Sequence, residues 1–248
     1  MKLSVVIPAH NEEGSIVETI TSLFEALHEA GIEHEIVVVN DNSQDETENI
    51  LKGLQTDIQG LVYFNNDGAG GFGNAIRVGL AKYSGDCVAI MMADLSDSPD
   101  DLVRFYHKLD EGYDCVFGDR WCKQGRVINY PATKKFLNRM ANHLVKIIFG
   151  LKYGDCTNAF KLYKRETIDG LKPFLSPHFN LTLELPLKAI VRGYSYAVVP
   201  NSWENRKAGV SKLKINEMGS RYFFILLYCL IEKYFSRGDF KKKEDQQL

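Results

Sequence analysis

Alternation constrains this chain most. Short apolar runs recur at Leu3–Ile7, Glu35–Val39, Leu61–Phe64, Cys87–Met92 and Cys115–Gly118, with stretches of helical pattern between them. Continuous Val- and Ile-rich runs mark strands buried on both faces. Strands that alternate with helices predict an α/β fold with a mostly parallel sheet flanked by helices. Ligands bind such sheets at the carboxyl edge of the strands. At that edge the run Cys87–Met92 leads into the acidic loop Met91–Asp101, with Asp94, Asp97, Asp100 and Asp101 around a helix-opening Ser98-Pro99. Carboxylates placed there can hold a divalent cation against a nucleotide's phosphates. They equally suit the first turn of a helix, and the loop alone leaves both readings open.

A chain of 248 residues suggests one large or two small domains. No linker or repeat divides it. The net charge of -2 names no partner, and no nucleic acid is expected. The distribution of charge says more. Leu3 to Leu51 holds eleven acidic residues and no Lys or Arg, whereas Arg120 to Lys152 holds eight basic residues and no acid. That segregation predicts a positive face for an anion or a membrane surface. The five cysteines show no metal spacing, which fits a reduced, cytoplasmic chain. Leu3–Ile7 is too short for a signal peptide, and no stretch approaches the roughly 18–20 apolar residues of a membrane span.

Further elements follow from local signals. Asn11 is expected to cap the first helix, with Glu12 and Glu13 in its first turn, and Ser43 with Glu46 reads as a capping box for the second. Helices are expected over Asn74–Tyr83, Asp100–Leu109 and Leu181–Arg192, and strands over Phe160–Tyr163 and Ser195–Val199. A helix after Pro131 places Phe136, Leu137, Met140, Ala141, Leu144, Val145 and Ile148 on one face and Lys134, Lys135, Asn138, Arg139, Asn142 and Lys146 on the other. It either packs its apolar face on the sheet with the basic face solvated, or lies in a membrane interface. The last helix, about Glu217–Phe235, has ten consecutive apolar residues from Tyr222 to Ile231. Apolar all round, it must be buried in protein or dipped into lipid. Lys241-Lys242-Lys243 beyond it suits anionic headgroups.

Gly68–Gly73 satisfies G-x-G-x-x-G literally, and Asp94 follows 21 residues after Gly73. A dinucleotide fingerprint belongs after the first strand, however, and this one follows the third. The first turn, Pro8-Ala9-His10-Asn11-Glu12, has no glycine. A dehydrogenase is therefore disfavoured.

Val5–Gly14 (VVIPAHNEEG), Val38–Thr47 (VVNDNSQDET), Gly71–Ala75, Ala93–Pro99 (ADLSDSP) and Gly118-Asp119-Arg120 resemble, in order, the motifs of family 2 glycosyltransferases. Those enzymes have a GT-A fold and use nucleotide-sugar donors. Thr157–Lys164 (TNAFKLYK) and Arg206–Leu213 (RKAGVSKL) are similar to the subgroup of dolichyl- and polyprenyl-phosphate hexose synthases, and the resemblance spans residues 3 to about 215. It implies a catalytic domain over 1–215, with a basic acceptor segment at 120–150, followed by an apolar helix and basic tail over 216–248.

The resemblance also implies roles. Pro8, His10 and Glu12 would wrap the nucleoside, and Val39 and Asp41 would meet base and ribose. Ala93 and Asp94 lie in the metal motif. Arg120 would meet phosphate, and Arg206 and Lys212 would close over the donor diphosphate. Lys134, Lys135 and Arg139, with Arg120, would take a lipid phosphate. The implied activity is inverting transfer of a hexose from GDP-mannose or a UDP-sugar to a polyprenyl or dolichyl phosphate. It would occur at the cytoplasmic face of a membrane to which the protein is peripherally attached. A homo-oligomer or a separate membrane partner is left open.

Two departures stand out. The family's DxD reads Met92-Ala93-Asp94, so a thioether replaces the first carboxylate, and Ser96 stands where Gln or His is usual. A thioether is a poor ligand for a hard cation. The Mg2+ or Mn2+ would then rest on Asp94, with Ser96 and Asp97 as accessory candidates. Transfer to a soluble or glycan acceptor, and a non-catalytic nucleotide-sugar binding protein, are the alternatives.

Overall fold

The structure, a computed structural model, describes residues 1–206 and 215–242. Seven strands form one sheet in the spatial order β3 (Leu61–Asn65), β2 (His34–Asn40), β1 (Leu3–Ala9), β4 (Cys87–Ile90), β7 (Lys161–Lys164), β5 (Cys115–Asp119) and β8 (Tyr196–Pro200). Only β7 runs antiparallel to its neighbours. This is the expected α/β, GT-A arrangement of a mostly parallel sheet between helices. Both faces are covered, which explains why the strands read as continuous apolar runs. Val5, Ile7, Ile36 and Val38 pack with Ile20 and Leu23 of α1 (Ile16–Glu29) and with Leu102 and Phe105 of α4 (Pro99–Asp110). On the other face, Val6, Val37, Val88 and Ile90 pack with Ile76 and Leu80 of α3 (Phe72–Lys82) and with Leu183 and Leu187 of α7 (Leu181–Val191).

The first two helices start later than their sequence signals indicate. Asn11 does not cap α1. It sits in the left-handed region at φ 53°, and its side-chain oxygen accepts the amide of Gln44 at 2.7 Å. Ser43 forms no capping box either, because its hydroxyl accepts the amide of Asn11 at 3.0 Å. Asp45 instead accepts the amide of Thr47, where α2 (Thr47–Asp57) begins. Side chains that read as local caps are used to join the turns after β1 and β2. Sequence proximity could not show this, because the partners lie 32 to 33 residues apart.

The helix after Pro131, α5 (Ala132–Phe149), overturns one of its two readings. Most of its apolar face does not pack on the sheet: Phe136 is 69% exposed, Met140 55% and Leu144 52%, while Val145 and Ile148 at its far end reach the core. The face turned to the protein carries Asn138, Asn142, Val145 and Phe149. Asn142 donates to the Thr157 hydroxyl at 2.8 Å and accepts the Thr157 amide at 3.0 Å, and Asn138 donates to the same hydroxyl. These amides satisfy a loop that an apolar face would leave unpaired.

α8 (Ile215–Phe235) buries Ile225, Leu226 and Cys229 within the same core as α7 and leaves Phe223, Phe224, Leu227, Ile231, Tyr234 and Phe235 exposed. A buried fork, Arg192 to Glu232 at 2.7 and 2.8 Å, fixes α8 to the end of α7. Lys233 donates to the carbonyl of Phe149, tying the C-terminal ends of α8 and α5 together. In the basic tail, Lys242 is paired with Asp114 at 2.9 Å rather than turned to an external anion. Lys243 lies outside the described residues. No helix among the described residues is long and apolar enough to cross a membrane.

The glycine-rich loop has a packing explanation. A Cβ at Gly73 would stand 2.4 Å from the carbonyl oxygen of Ser176, and one at Gly71 (φ 138°) would stand 2.7 Å from that of Pro177. Both glycines let α3 start against the segment before α7. That segment is held by Glu184, fully buried, which accepts the amides of Leu175 and Ser176 and pairs with Lys188. Glu184 is a structural residue.

Candidate functional site

The acidic loop emerges from β4 beside the ends of β1 and β2. Its position is fixed by α1, where the hydroxyls of Ser15 and Thr19 donate to the Ala93 carbonyl at 2.8 and 3.1 Å. Leu95 takes φ 59°, and Asn11 and Asn42, in the turns after β1 and β2, are also left-handed. Three such residues at one sheet edge fit the clustering of strained backbone at functional sites. From above, β9 (Ser202–Glu204), paired with β6 (Arg126–Ile128), holds the loop, with the Glu204 amide donating to the Ser96 carbonyl and Trp203 bridging to Asp97.

Asp94 is buried. One of its oxygens accepts the Ser96 amide at 3.1 Å and the other accepts Arg206 Nη2 at 2.6 Å. The same guanidinium reaches Glu12, Nη1 to Oε1, at 3.5 Å. Residues from the first loop, the acidic loop and the segment after β9 therefore meet at one point. Asp97 accepts the Met92 amide at 3.2 Å. Burial, and then the charge of Asp94, pushes its carboxyl up to about 7.

The other donor-side candidates divide. Pro8 is half-buried within β1, and Val39, paired with it across the strands, is fully buried. The side chain of Val39 faces Gly79 of α3, which leaves only its backbone for a ligand. Asp41 holds the glycine-rich loop, accepting the side-chain amide of Asn66 at 2.7 Å and the Gly71 amide at 2.8 Å. The His10 ring hydrogen-bonds the Asp41 carbonyl. Lys212 lies outside the described residues.

Arg120, which the resemblance places at phosphate, is held from within the protein. It is buried, and Asp155 takes its Nε at 2.7 Å, Nη2 at 2.9 Å and backbone amide at 3.0 Å. Burial opposes the charge, but Asp155 more than offsets it and holds Arg120 protonated. Around Trp121 the structure gathers Arg120, Lys135 and Arg139, each with its cation 5.4 to 5.7 Å from the ring. Lys134 lies one residue earlier on α5 and is half-buried. Trp121 also donates its indole N–H to Asn138, and Tyr130 lies between Trp121 and Trp203, edge-on to the first and tilted against the second. Sequence reading placed Asn138 on the polar face of its helix without a role at the site, and it missed Asp155 and Trp121. Their only signal was adjacency, Asp155 two residues before the TNAFKLYK motif and Trp121 directly after Arg120.

The donor set fits a shared cation rather than a caged one. Among the described residues no group of three metal-type side chains converges. Asp94 offers a carboxylate at the sheet edge, Met92 offers a thioether, and Asp97 spends one oxygen on a backbone amide. Mg2+ is commonly held by one or two carboxylates together with substrate phosphates, and one carboxylate is what this loop presents.

Comparison with known proteins bears on the family and the fold. A curated relative, a dolichol-phosphate mannosyltransferase of Pyrococcus furiosus, is 31% identical over 220 residues, which cover 86% of this chain. The chain spans only 60% of that relative's length. Among solved structures, glucosyl-3-phosphoglycerate synthase of Mycobacterium tuberculosis with phosphoglyceric acid superposes with a TM-score of 0.69 at 20% identity, over 92% of this chain and 79% of that one. The same synthase, solved with Mn2+, UDP-glucose and phosphoglyceric acid, gives the same score and shares the fold. The family model described as Glycosyl transferase family 2 matches residues 4–171, and the chain belongs to that family.

Proposed function

We propose that this protein transfers a hexose from a nucleoside-diphospho-sugar to the phosphate of a polyprenyl lipid at a membrane surface. The observation that carries the reading is the neighbourhood of α5. Arg120, Lys135 and Arg139 gather at Trp121 beside a helix face on which Phe136, Met140 and Leu144 are exposed. An anion site bordered by apolar surface suits a ligand with a phosphate head and a hydrocarbon tail. The exposed aromatic residues of α8, whose end is tied to that of α5 by Lys233, add further apolar surface. The name of the Pyrococcus relative supports the same acceptor class.

The chemistry follows from charge. A phosphate monoester is nucleophilic at neutral pH, so the acceptor needs no strong general base. Attack at the anomeric carbon breaks the bond to the donor's diphosphate and inverts the centre. Negative charge then grows on the leaving group. Arg206 stabilises that charge, while Lys135 and Arg139 hold the acceptor anion against its repulsion. Arg120, fixed by Asp155, offers its remaining N–H groups from below. A Mg2+ or Mn2+ ion at Asp94 would supply Lewis-acid charge to the diphosphate. Asp41 and the loop it holds flank the nucleoside. The protein would sit peripherally on the cytoplasmic face, with residues 1–215 as the catalytic unit and 216–248 adding apolar surface.

A panel of nucleotide sugars with a polyprenyl phosphate in vesicles tests the proposal. Formation of a lipid-linked sugar is expected from one donor. Turnover only with a soluble acceptor would move the assignment to that class. Donor binding without product at any cation concentration would leave a binding protein.

A further inference from the structure

We propose that Arg206 is a built-in counter-ion of the donor site, one that a divalent cation must displace from Asp94 before it can bind there. The inference rests on the assignment of Asp94 to the cation and adds a competitor for it. The Arg206 guanidinium bridges two carboxylates that belong to different crossover turns, Glu12 after β1 and Asp94 after β4, at 3.5 and 2.6 Å. All three side chains are largely withdrawn from water, 15% exposed for Arg206, 10% for Glu12 and 6% for Asp94. The contact is thus a part-buried, charge-assisted pair rather than a loose surface one.

The geometry leaves Asp94 little else to offer. One oxygen is turned to the Ser96 amide and the other is 2.6 Å from Arg206 Nη2. No second carboxylate stands at position 92 to take a cation while the arginine stays. A cation at that oxygen would stand close to the guanidinium, and their like charges set the two against each other. A diphosphate changes the balance, since its oxygens match the planar fork of Arg at least as well as a carboxylate does. Arg206 would move from Asp94 to the incoming diphosphate as the cation takes Asp94. Cation and donor would then favour each other's binding, and that coupling is reciprocal. The cation-free protein would keep Asp94 neutralised instead of carrying an unpaired buried carboxylate.

The test needs neither donor nor acceptor. Mn2+ alone is titrated into the full chain, and free Mn2+ is followed by its electron paramagnetic resonance signal. Arg206→Gln should bind Mn2+ about tenfold to a hundredfold more tightly than wild type, the span that a charge-assisted hydrogen bond is worth. Arg206→Lys, which keeps the charge but not the fork, should fall between them. Asp94→Asn should remove the gain from the Arg206→Gln background, with circular dichroism confirming that each variant is folded. Equal Mn2+ affinity in wild type and Arg206→Gln overturns the proposal, and so does a gain that survives Asp94→Asn. Because no sugar transfer is read, either result stands apart from success or failure of the donor panel.

Discussion

Asp155 accepts three N–H groups from Arg120 alone, its backbone amide and two guanidinium donors, within 2.7 to 3.0 Å. The pair is buried at the mouth of the basic segment, where an unpaired charge of either sign is costly. Asp155→Ala should therefore destabilise the fold by about 3–5 kcal/mol, because it strands the arginine. Urea denaturation measures the loss. Asp155→Asn, which keeps the shape, should cost less but raise the KM for the acceptor phosphate by loosening Arg120. An unchanged KM in a folded Asp155→Asn would remove Arg120 from the acceptor side.

The two carboxylates of the acidic loop should behave differently. Asp94→Ala is expected to abolish sugar transfer, whereas Asp97→Ala, whose carboxyl bonds the Met92 amide, should weaken it less. Initial rates against Mg2+ and Mn2+ concentration check both. Near-normal, cation-dependent turnover by Asp94→Ala would show that the cation lies elsewhere.

Two helical glycines give opposite expectations for the same substitution. Gly73→Ala drives a Cβ to within 2.4 Å of the Ser176 carbonyl and should cost about 1–3 kcal/mol. Gly53→Ala, on the exposed face of α2 with open space around it, should stabilise by about 0.5–1 kcal/mol. Thermal unfolding of the two variants side by side is sufficient.

On α5 the apolar and polar faces trade their usual roles. Met140→Asp with Leu144→Asp should abolish flotation with anionic vesicles while leaving stability within about 0.5 kcal/mol. Asn142→Ala should cost about 1–3 kcal/mol by stranding the Thr157 amide. If the double variant still floats, α5 is not the membrane face.

Glu35 sets an acid limit to stability. Burial alone would raise its carboxyl, but hydrogen bonds from Ser4, Ser84 and Lys2 outweigh it and bring it down to about 2. A carboxylate depressed in the folded state contributes stability above its unfolded pKa of about 4.5, lost as pH falls through the folded value. The wild type should therefore lose stability between about pH 4.5 and 2, and Glu35→Gln should flatten that limb. After allowance for solvent screening the variant should be weaker by about 1–2 kcal/mol at neutral pH.

The fold was legible because its signals are local and repeated. A strand buried on both faces must be apolar throughout, so Leu3–Ile7, Glu35–Val39 and Cys87–Met92 declared a covered parallel sheet, and the loop after the last of these was bound to lie at its carboxyl edge. The ordered motifs carried the family. Pairings between distant turns were illegible: Asn11 and Ser43 have the composition of caps, and only the approach of β1 and β2 makes them partners. Asp155 is an ordinary loop acid until the fold brings it under Arg120.

By itself, then, the sequence determined the layered architecture, the edge at which the site lies and the presence of an amphipathic helix after Pro131. Tertiary structure decided which face of that helix the protein keeps. Periodicity shows that two faces differ, but burial goes to the face whose groups find partners. Asn138 and Asn142 find Trp121 and Thr157, so α5 turns its asparagines inward and leaves Phe136, Met140 and Leu144 outside.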